Sequence, residues 1–179
     1  MNRKDTTEFI LFENKNPLPQ LWLDLGCGTG LFTVALAGNL PSGSKIVAVD
    51  KDEKALKKIP ATTNGVTIET TAVDFVSDTL DVKNIDGIIM ANSLHYVKGK
   101  ETLLKKFISS MKATGIFLIV EYDRQTNNLW VPYPLTINAA KELFKSAGYS
   151  GFHVLNKRPS AFGRYDMYAA VIGSPLVEE

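Results

Sequence analysis

Leu21-Trp-Leu-Asp-Leu-Gly-Cys-Gly-Thr-Gly-Leu-Phe32 is the stretch whose reading decides the fold. An apolar run carrying one acid, Asp24, breaks into three glycines, Gly26, Gly28 and Gly30. A helical pattern, Leu31, Val34, Ala35 and Leu36, follows at once. The order reads as a strand, a tight turn and the start of a helix. Glycines, lacking Cβ, let the turn's backbone come close to a ligand. Open α/β sheets hold ligands at the carboxyl ends of their strands. The later strand ends are therefore expected to supply the rest of a site.

Working outward, Ile46-Val-Ala-Val-Asp50 is a continuous apolar strand closing on an acid, and Lys51 to Ile59 a short helix stopped by Pro60. Val66 to Val73 alternates with polar residues and ends at Asp74-Phe75. Ile85 to Ala91 is a buried strand leading into Asn92-Ser-Leu-His-Tyr96, Lys100 to Met111 an amphipathic helix, and Gly115 to Glu121 another strand. Strands alternating with helices over short connections predict a doubly wound, mostly parallel sheet with helices on both faces. Beyond Tyr122 the rhythm changes. Residues 122–135 form a long loop, Thr136 caps a helix that stops at Gly148, and Phe152–Leu155 and Arg164–Ile172 are strands with no helix between them. Such a pair closes the sheet as an antiparallel hairpin. Residues 175–179 read as a frayed tail. Upstream, the arm of residues 1–20 carries an apolar cluster, Phe9 to Phe12, that either packs into the core or folds over a ligand.

The 179 residues suit one domain with a full core, and the whole chain is expected to be that domain. A net charge of +1, with no longer basic run than Lys54, Lys57 and Lys58, argues against nucleic acid as a bulk electrostatic partner. One cysteine, Cys27, excludes a disulfide framework, and with two histidines a metal site is not expected. The first residues lack the apolar core of a signal peptide, and no stretch approaches membrane-spanning length. A cytoplasmic location is expected, away from membranes. Oligomeric state is not legible.

Two ligands compete for the glycine turn. A nicotinamide dinucleotide wants glycines at relative positions one, three and six. Counted from Gly26 the last of these is Leu31, and counted from Gly28 it is Thr33. Asp24 would also stand uncompensated near a pyrophosphate. S-adenosylmethionine carries a sulfonium and an ammonium and no phosphate, so a carboxylate there is favourable. Asp50 suits the ribose hydroxyls of either ligand. Asp74, followed by the ring of Phe75, suits an adenine.

Leu23-Asp-Leu-Gly-Cys-Gly-Thr-Gly30, Val47-Ala-Val-Asp50, Ala72-Val-Asp-Phe75, Asp86 to Tyr96 and Gly115 to Glu121 together resemble the ordered motifs of class I S-adenosylmethionine-dependent methyltransferases. The resemblance implies a seven-stranded sheet with a reversed final strand. It implies S-adenosylmethionine as cofactor, with Gly26, Gly28 and Gly30 along its methionine portion and Asp24 near its amino group. Asp50 would hold the ribose, Asp74 and Phe75 the adenine, and Asn92 would sit beside the sulfonium; Cys27 and Lys51 complete the expected lining. Only 20 residues precede the first motif, so either the acceptor site is open or the loop at 122–135 supplies its walls.

Methyl transfer to a nucleophile draws much of its rate from alignment, and needs a base only when the acceptor is protonated. His95 follows the fourth strand where an acceptor approaches and is the candidate base, with helix entry or packing as its competing role. Glu121 and Asp123 end the next strand and are candidates to bind an acceptor amine or hydroxyl. Tyr122, Trp130 and Tyr133 are expected to contact the acceptor, the last two from a loop stiffened by Pro132 and Pro134. The expected activity is methyl transfer to a small molecule. Against it stand a dinucleotide-dependent oxidoreductase and a protein that binds the cofactor without turnover.

Overall fold

The computed structural model describes residues 2–160 and 165–173. The first half of the chain forms helix α1 (Arg3–Phe9), strand β1 (Leu21–Leu25), helix α2 (Leu31–Ala37), strand β2 (Lys45–Asp50) and the one-turn helix α3 (Glu53–Leu56). Strands β3 (Thr62–Thr63), β4 (Val66–Ala72) and β5 (Ile85–Ala91) follow, then a 3-10 turn at Leu94–Tyr96. Helix α4 (Lys100–Ile108), strand β6 (Met111–Tyr122), helix α5 (Ile137–Ser146) and strands β7 (Phe152–Pro159) and β8 (Asp166–Ile172) complete the chain.

One sheet takes all the strands in the order β3-β4-β2-β1-β5-β6-β8-β7. β4, β2, β1, β5 and β6 are mutually parallel, and β8 and β7 run back antiparallel. This is the doubly wound sheet with an antiparallel carboxyl-terminal hairpin that the alternation predicts. β1 lies at the switch point: the chain proceeds to β2 on one side and later returns to β5 on the other, opening a crevice at the carboxyl ends. The strand beyond the expected seven is β3, which pairs with β4 across Asn64-Gly65, both at positive φ. Asn-Gly is the residue pair such a two-residue hairpin demands.

Three boundaries move, the first being the helix expected over Lys51 to Ile59, which is only Glu53–Leu56. The amphipathic pattern carries the fourth helix to Met111, yet α4 ends at Ile108 and Met111 pairs with Ile85 as the first residue of β6. β7 runs on to Pro159, past the expected end at Leu155. The expected strand start at Arg164 and the tail 175–179 lie outside the described residues. Thr136 caps α5 as its position suggests, its hydroxyl accepting from the Ala139 N–H at 3.1 Å.

Two apolar layers sandwich the sheet. On one face Trp22, with no exposure, packs on Phe12 at 5.7 Å between ring centroids. Its indole lies so close to Gly87 on β5 that any Cβ there would stand 2.4 Å from the ring. Phe9, Ile10 and Phe12 are all buried, and Asn156 on β7 donates to the carbonyls of Glu8 and Phe9. Of the two roles open to the amino-terminal arm, the structure shows the core contact. On the other face Phe117 meets Phe144 of α5 at 5.1 Å and Tyr149 edge-on at 5.2 Å. Truncating Phe144 to alanine there costs about 3–5 kcal/mol. No helix among the described residues is long and apolar enough to cross a membrane.

Candidate active site

The glycine turn is tied to the end of the neighbouring strand. The N–H groups of Gly26 and Cys27 donate to the Val49 carbonyl, and that of Gly28 donates to Asp50 Oδ2 at 2.8 Å. The Asp52 N–H donates to Asp50 Oδ1, so the Asp50 carboxylate is held in place at the lip of the crevice. The three glycines do different work. All have positive φ. A Cβ on Gly26 would meet Ser93 Cβ at 2.5 Å, and one on Gly30 would meet Ile59 at 2.7 Å. Those two positions serve packing of protein on protein. At Gly28 a Cβ would meet nothing within 4 Å, so the backbone faces open space.

Beneath the turn Asp24 is 1% exposed and accepts one hydrogen bond, from the Thr33 hydroxyl at 2.6 Å. Its Oδ1 is buried with no partner. Burial pushes its pKa up to about 7, the Thr33 hydrogen bond opposing and the Asp50 charge adding to the rise. Cys27, buried beside the same two acids, has its thiol raised well above the ordinary range, first by desolvation and then by Asp24 and Asp50. It is an inert thiol. Lys51 is exposed.

Asp74 starts a tight loop. Its Oδ1 accepts from the Val76 N–H, and its own N–H donates to Asp78. The Lys106 ammonium reaches across from α4 and donates to the carbonyls of Phe75 at 2.9 Å, Val76 at 3.4 Å and Asp78 at 2.5 Å. That cation fixes the loop from outside.

On the other side of the β1–β5 boundary lies a cavity of about 570 Å³, lined among others by Asn92, His95, Tyr96, Tyr122, Arg124 and Trp130. Asn92, at the end of β5, holds φ at 55°, rare for a residue with a side chain, and its Oδ1 is buried without a partner. Ser93 fixes the next step by donating its hydroxyl to the Leu25 carbonyl at 2.6 Å. His95 is 2% and Glu121 0% exposed. Glu121 Oε1 accepts from the His95 backbone N–H at 3.1 Å, and Oε2 lies 2.6 Å from its Nδ1. In the tautomer in which Nδ1 donates to Glu121, Nε2 is left as an acceptor. The ring packs against Tyr96 at 4.4 Å and Tyr122 at 5.9 Å. The Tyr122 phenol is raised above its ordinary pKa by burial, then by Glu121 and Tyr96, and stays neutral.

A family model described as "Methyltransferase domain" matches residues 23–117, more than half of the chain. The chain belongs to the methyltransferase domain family. The match spans the glycine turn, the strand-end acids and the His95 segment. A curated relative, the carboxy-S-adenosyl-L-methionine synthase of Nautilia profundicola, is 28% identical over 144 residues, 76% of this chain and 58% of that protein. The synthase of the same name from Helicobacter pylori is 31% identical over 116 residues, 62% of this chain and 46% of that protein. The chain thus spans about half the length of these relatives. Among solved structures, the 1,6-didemethyltoxoflavin-N1-methyltransferase of Burkholderia thailandensis, with its substrate and S-adenosylhomocysteine bound, superposes with a TM-score of 0.67 at 18% identity. The superposition covers 88% of this chain and 72% of that one and establishes a shared fold.

Within this methyltransferase domain the expected residues separate into two groups. Asp24, Gly28, Asp50 and Asp74 border the crevice at the ends of β1, β2 and β4. Asn92, His95, Tyr122 and Trp130 line the cavity beyond it. Glu121 is fully buried with both oxygens engaged by His95. Asp123 accepts from the Ile137 N–H and so caps α5. Tyr133 is outside the residues lining the cavity: its N–H donates to the His95 carbonyl at 2.9 Å, and its ring lies under the Lys100 ammonium at 5.6 Å. Arg124, Tyr165 and Lys106 escaped the sequence reading. Tyr165 is 41 residues from Arg124 and comes beside it only because β8 returns antiparallel to β6. A cation directly after a strand-end acid pair was the available signal for Arg124.

Proposed function

We propose that the chain binds S-adenosylmethionine and transfers its methyl group to a small-molecule acceptor. The observation that carries this is Asp24. A carboxylate buried beneath a glycine turn, with one oxygen unpartnered and its pKa pushed up to about 7, fits the ammonium of the donor's methionine portion. The open face of Gly28 leaves room for that portion, Asp50 stands ready for the ribose, and the loop from Asp74 to Asp78 for the adenine. When bound, the donor supplies a sulfonium-activated methyl group.

The residues of the chain then act on the acceptor. The cavity is within the size range of small-molecule sites, and its rings exclude water from one side of the acceptor. His95 Nε2 takes the proton of an acceptor hydroxyl or amine as the acceptor atom's own lone pair displaces S-adenosylhomocysteine from the methyl carbon. Glu121 holds the tautomer that permits this and stabilises the imidazolium that results. Asn92 offers its unpartnered Oδ1 to a donor group in the cleft.

Calorimetric titration tests the reading, with S-adenosylhomocysteine against NAD. S-adenosylhomocysteine is expected to bind, and Asp50→Ala to weaken it strongly. Tight NAD binding with no S-adenosylhomocysteine binding overturns the proposal. Absence of methyl transfer from labelled donor across broad metabolite pools, with binding intact, favours a protein without turnover. A second reading follows from the curated relatives' name, in which the product is a carboxylated donor. Arg124, a cation on the same cavity, is the observation favouring it. Tighter binding of carboxy-S-adenosylmethionine than of S-adenosylmethionine separates the two.

A further inference from the structure

Asp24 Oδ1, Asn92 Oδ1 and Arg124 Nε are the buried polar side-chain atoms without a partner among the described residues. The first belongs to the donor side. The other two belong to Asn92 and Arg124, residues that line the acceptor cavity. An N–H of a guanidinium left buried and unpaired costs on the order of 1–3 kcal/mol, so such a group in a cavity marks the place of an absent partner.

The guanidinium is held in one position. Its centre lies 4.6 Å from the centroid of the Tyr165 ring, and Nη2 donates to the Thr126 hydroxyl at 3.2 Å. That hydroxyl is itself 3.2 Å from the Tyr165 phenol oxygen. Arg124 is flanked by Asp123, whose Oδ1 accepts from the Ile137 N–H, and it makes no ion pair with any carboxylate among the described residues. Packed beside the Tyr165 ring and tethered at Nη2, the guanidinium is pre-set for an anion. It loses little freedom when one binds. Tyr96, Tyr122 and Trp130 line the same cavity as Arg124. Trp130 is 77% and Tyr96 55% exposed. Flat faces of this kind favour a flat ligand.

We propose that Arg124 is the carboxylate-binding residue of the acceptor site, and that the acceptor is a planar aromatic acid. Its ring lies against Tyr96, Tyr122 and Trp130, with the carboxylate at Arg124 and the reacting atom toward Asn92 and His95. The assignment rests on the cavity being the acceptor site of the proposed methyltransferase.

Calorimetry on the full chain, saturated with S-adenosylhomocysteine, provides the test. The probes are salicylate and naphthoate, their neutral amides, and cyclohexanecarboxylate as a non-planar acid. The aromatic acids are expected to bind at least about tenfold more tightly than their amides, as a charge-assisted hydrogen bond implies, and more tightly than the non-planar acid. Arg124→Gln removes the preference for acid over amide, and Arg124→Lys restores part of it. S-adenosylhomocysteine affinity and melting temperature in these variants report that the donor site and fold are intact. Equal binding of acid and amide, no binding of either, or a preference that survives in Arg124→Gln overturns the proposal. So does an acid preference that disappears when carboxy-S-adenosylmethionine occupies the donor site, since Arg124 then serves the donor. Failure of S-adenosylhomocysteine to bind at all overturns the functional reading instead.

Discussion

Donor affinity should titrate with Asp24. The carboxyl is buried, its pKa is pushed up to about 7, and one of its oxygens is free. If a bound ammonium neutralises it, only the ionised form binds well, and the apparent Kd is multiplied by one plus the ratio of protonated to ionised Asp24. For a pKa of about 7 this factor changes by about twenty-fold between about pH 5.5 and about pH 7.5, a window below the ordinary titration of an α-amino group. Affinity should rise with pH and level off above neutrality. In the free protein the sign is the reverse. A folded-state pKa raised above the unfolded value of 3.8 gives a stability contribution that is fully present below 3.8 and lost as pH rises through about 7. At about 1.4 kcal/mol per unit, that loss is about 4 kcal/mol. Titration of S-adenosylhomocysteine by calorimetry across the window, beside Asp24→Asn, checks both. Asp24→Asn should bind weakly at every pH and lose the dependence, while its urea stability at neutral pH rises relative to the parent. A Kd that is constant across the window, or a slope that persists in Asp24→Asn, refutes the assignment of the ammonium to this carboxylate.

Lys106→Met removes three hydrogen bonds to the loop after Asp74 without touching the crevice, and is expected to weaken S-adenosylhomocysteine about fivefold; an unchanged Kd would mean the loop holds its shape alone. Glu121→Ala leaves the His95 backbone N–H and ring nitrogen without their acceptor and should cost about 3 kcal/mol in urea unfolding, against a null result if water replaces the carboxylate. With an identified hydroxyl acceptor, His95→Gln should lower kcat by about a hundredfold or more; retention of the rate excludes it as base. Gly26→Ala combines a φ of 80° with a Cβ placed 2.5 Å from Ser93, and denaturation should register a loss of about 2–4 kcal/mol, whereas Gly28→Ala should lose less stability and more donor affinity.

The strand-end acids were legible because a parallel sheet sends every carboxyl end to the same rim, so Asp24, Asp50 and Asp74 need only end successive apolar runs to meet. Thr136 was legible as a cap for an equally local reason. Met111 was not. The apolar period of α4 continues into it while Lys112 to Thr114 are exposed, and only pairing with Ile85 makes it a strand residue. The division of the glycines also lay beyond the sequence, since it depends on Ser93 and Ile59 arriving from distant segments. Tyr133 drew attention as an aromatic in a stiff loop, yet its backbone serves the site more directly than its ring. Arg124 gained its partner ring from across an antiparallel return that periodicity cannot register.

The bond from the Tyr133 N–H to the His95 carbonyl has a consequence for how such a site diversifies. Lys100 repeats the tie, its ammonium donating to the carbonyls of both Val97 and Tyr133 at 2.9 Å. The far end of the loop after β6 is therefore anchored to the histidine segment and travels with it. Gln125 to Trp130, all exposed, form the span left to vary in length or shape. A lineage can refit that span to a new acceptor while the His95 ring keeps its place, and an engineer seeking altered acceptor scope should randomise Asn128 and Trp130 before touching anything beyond Val131.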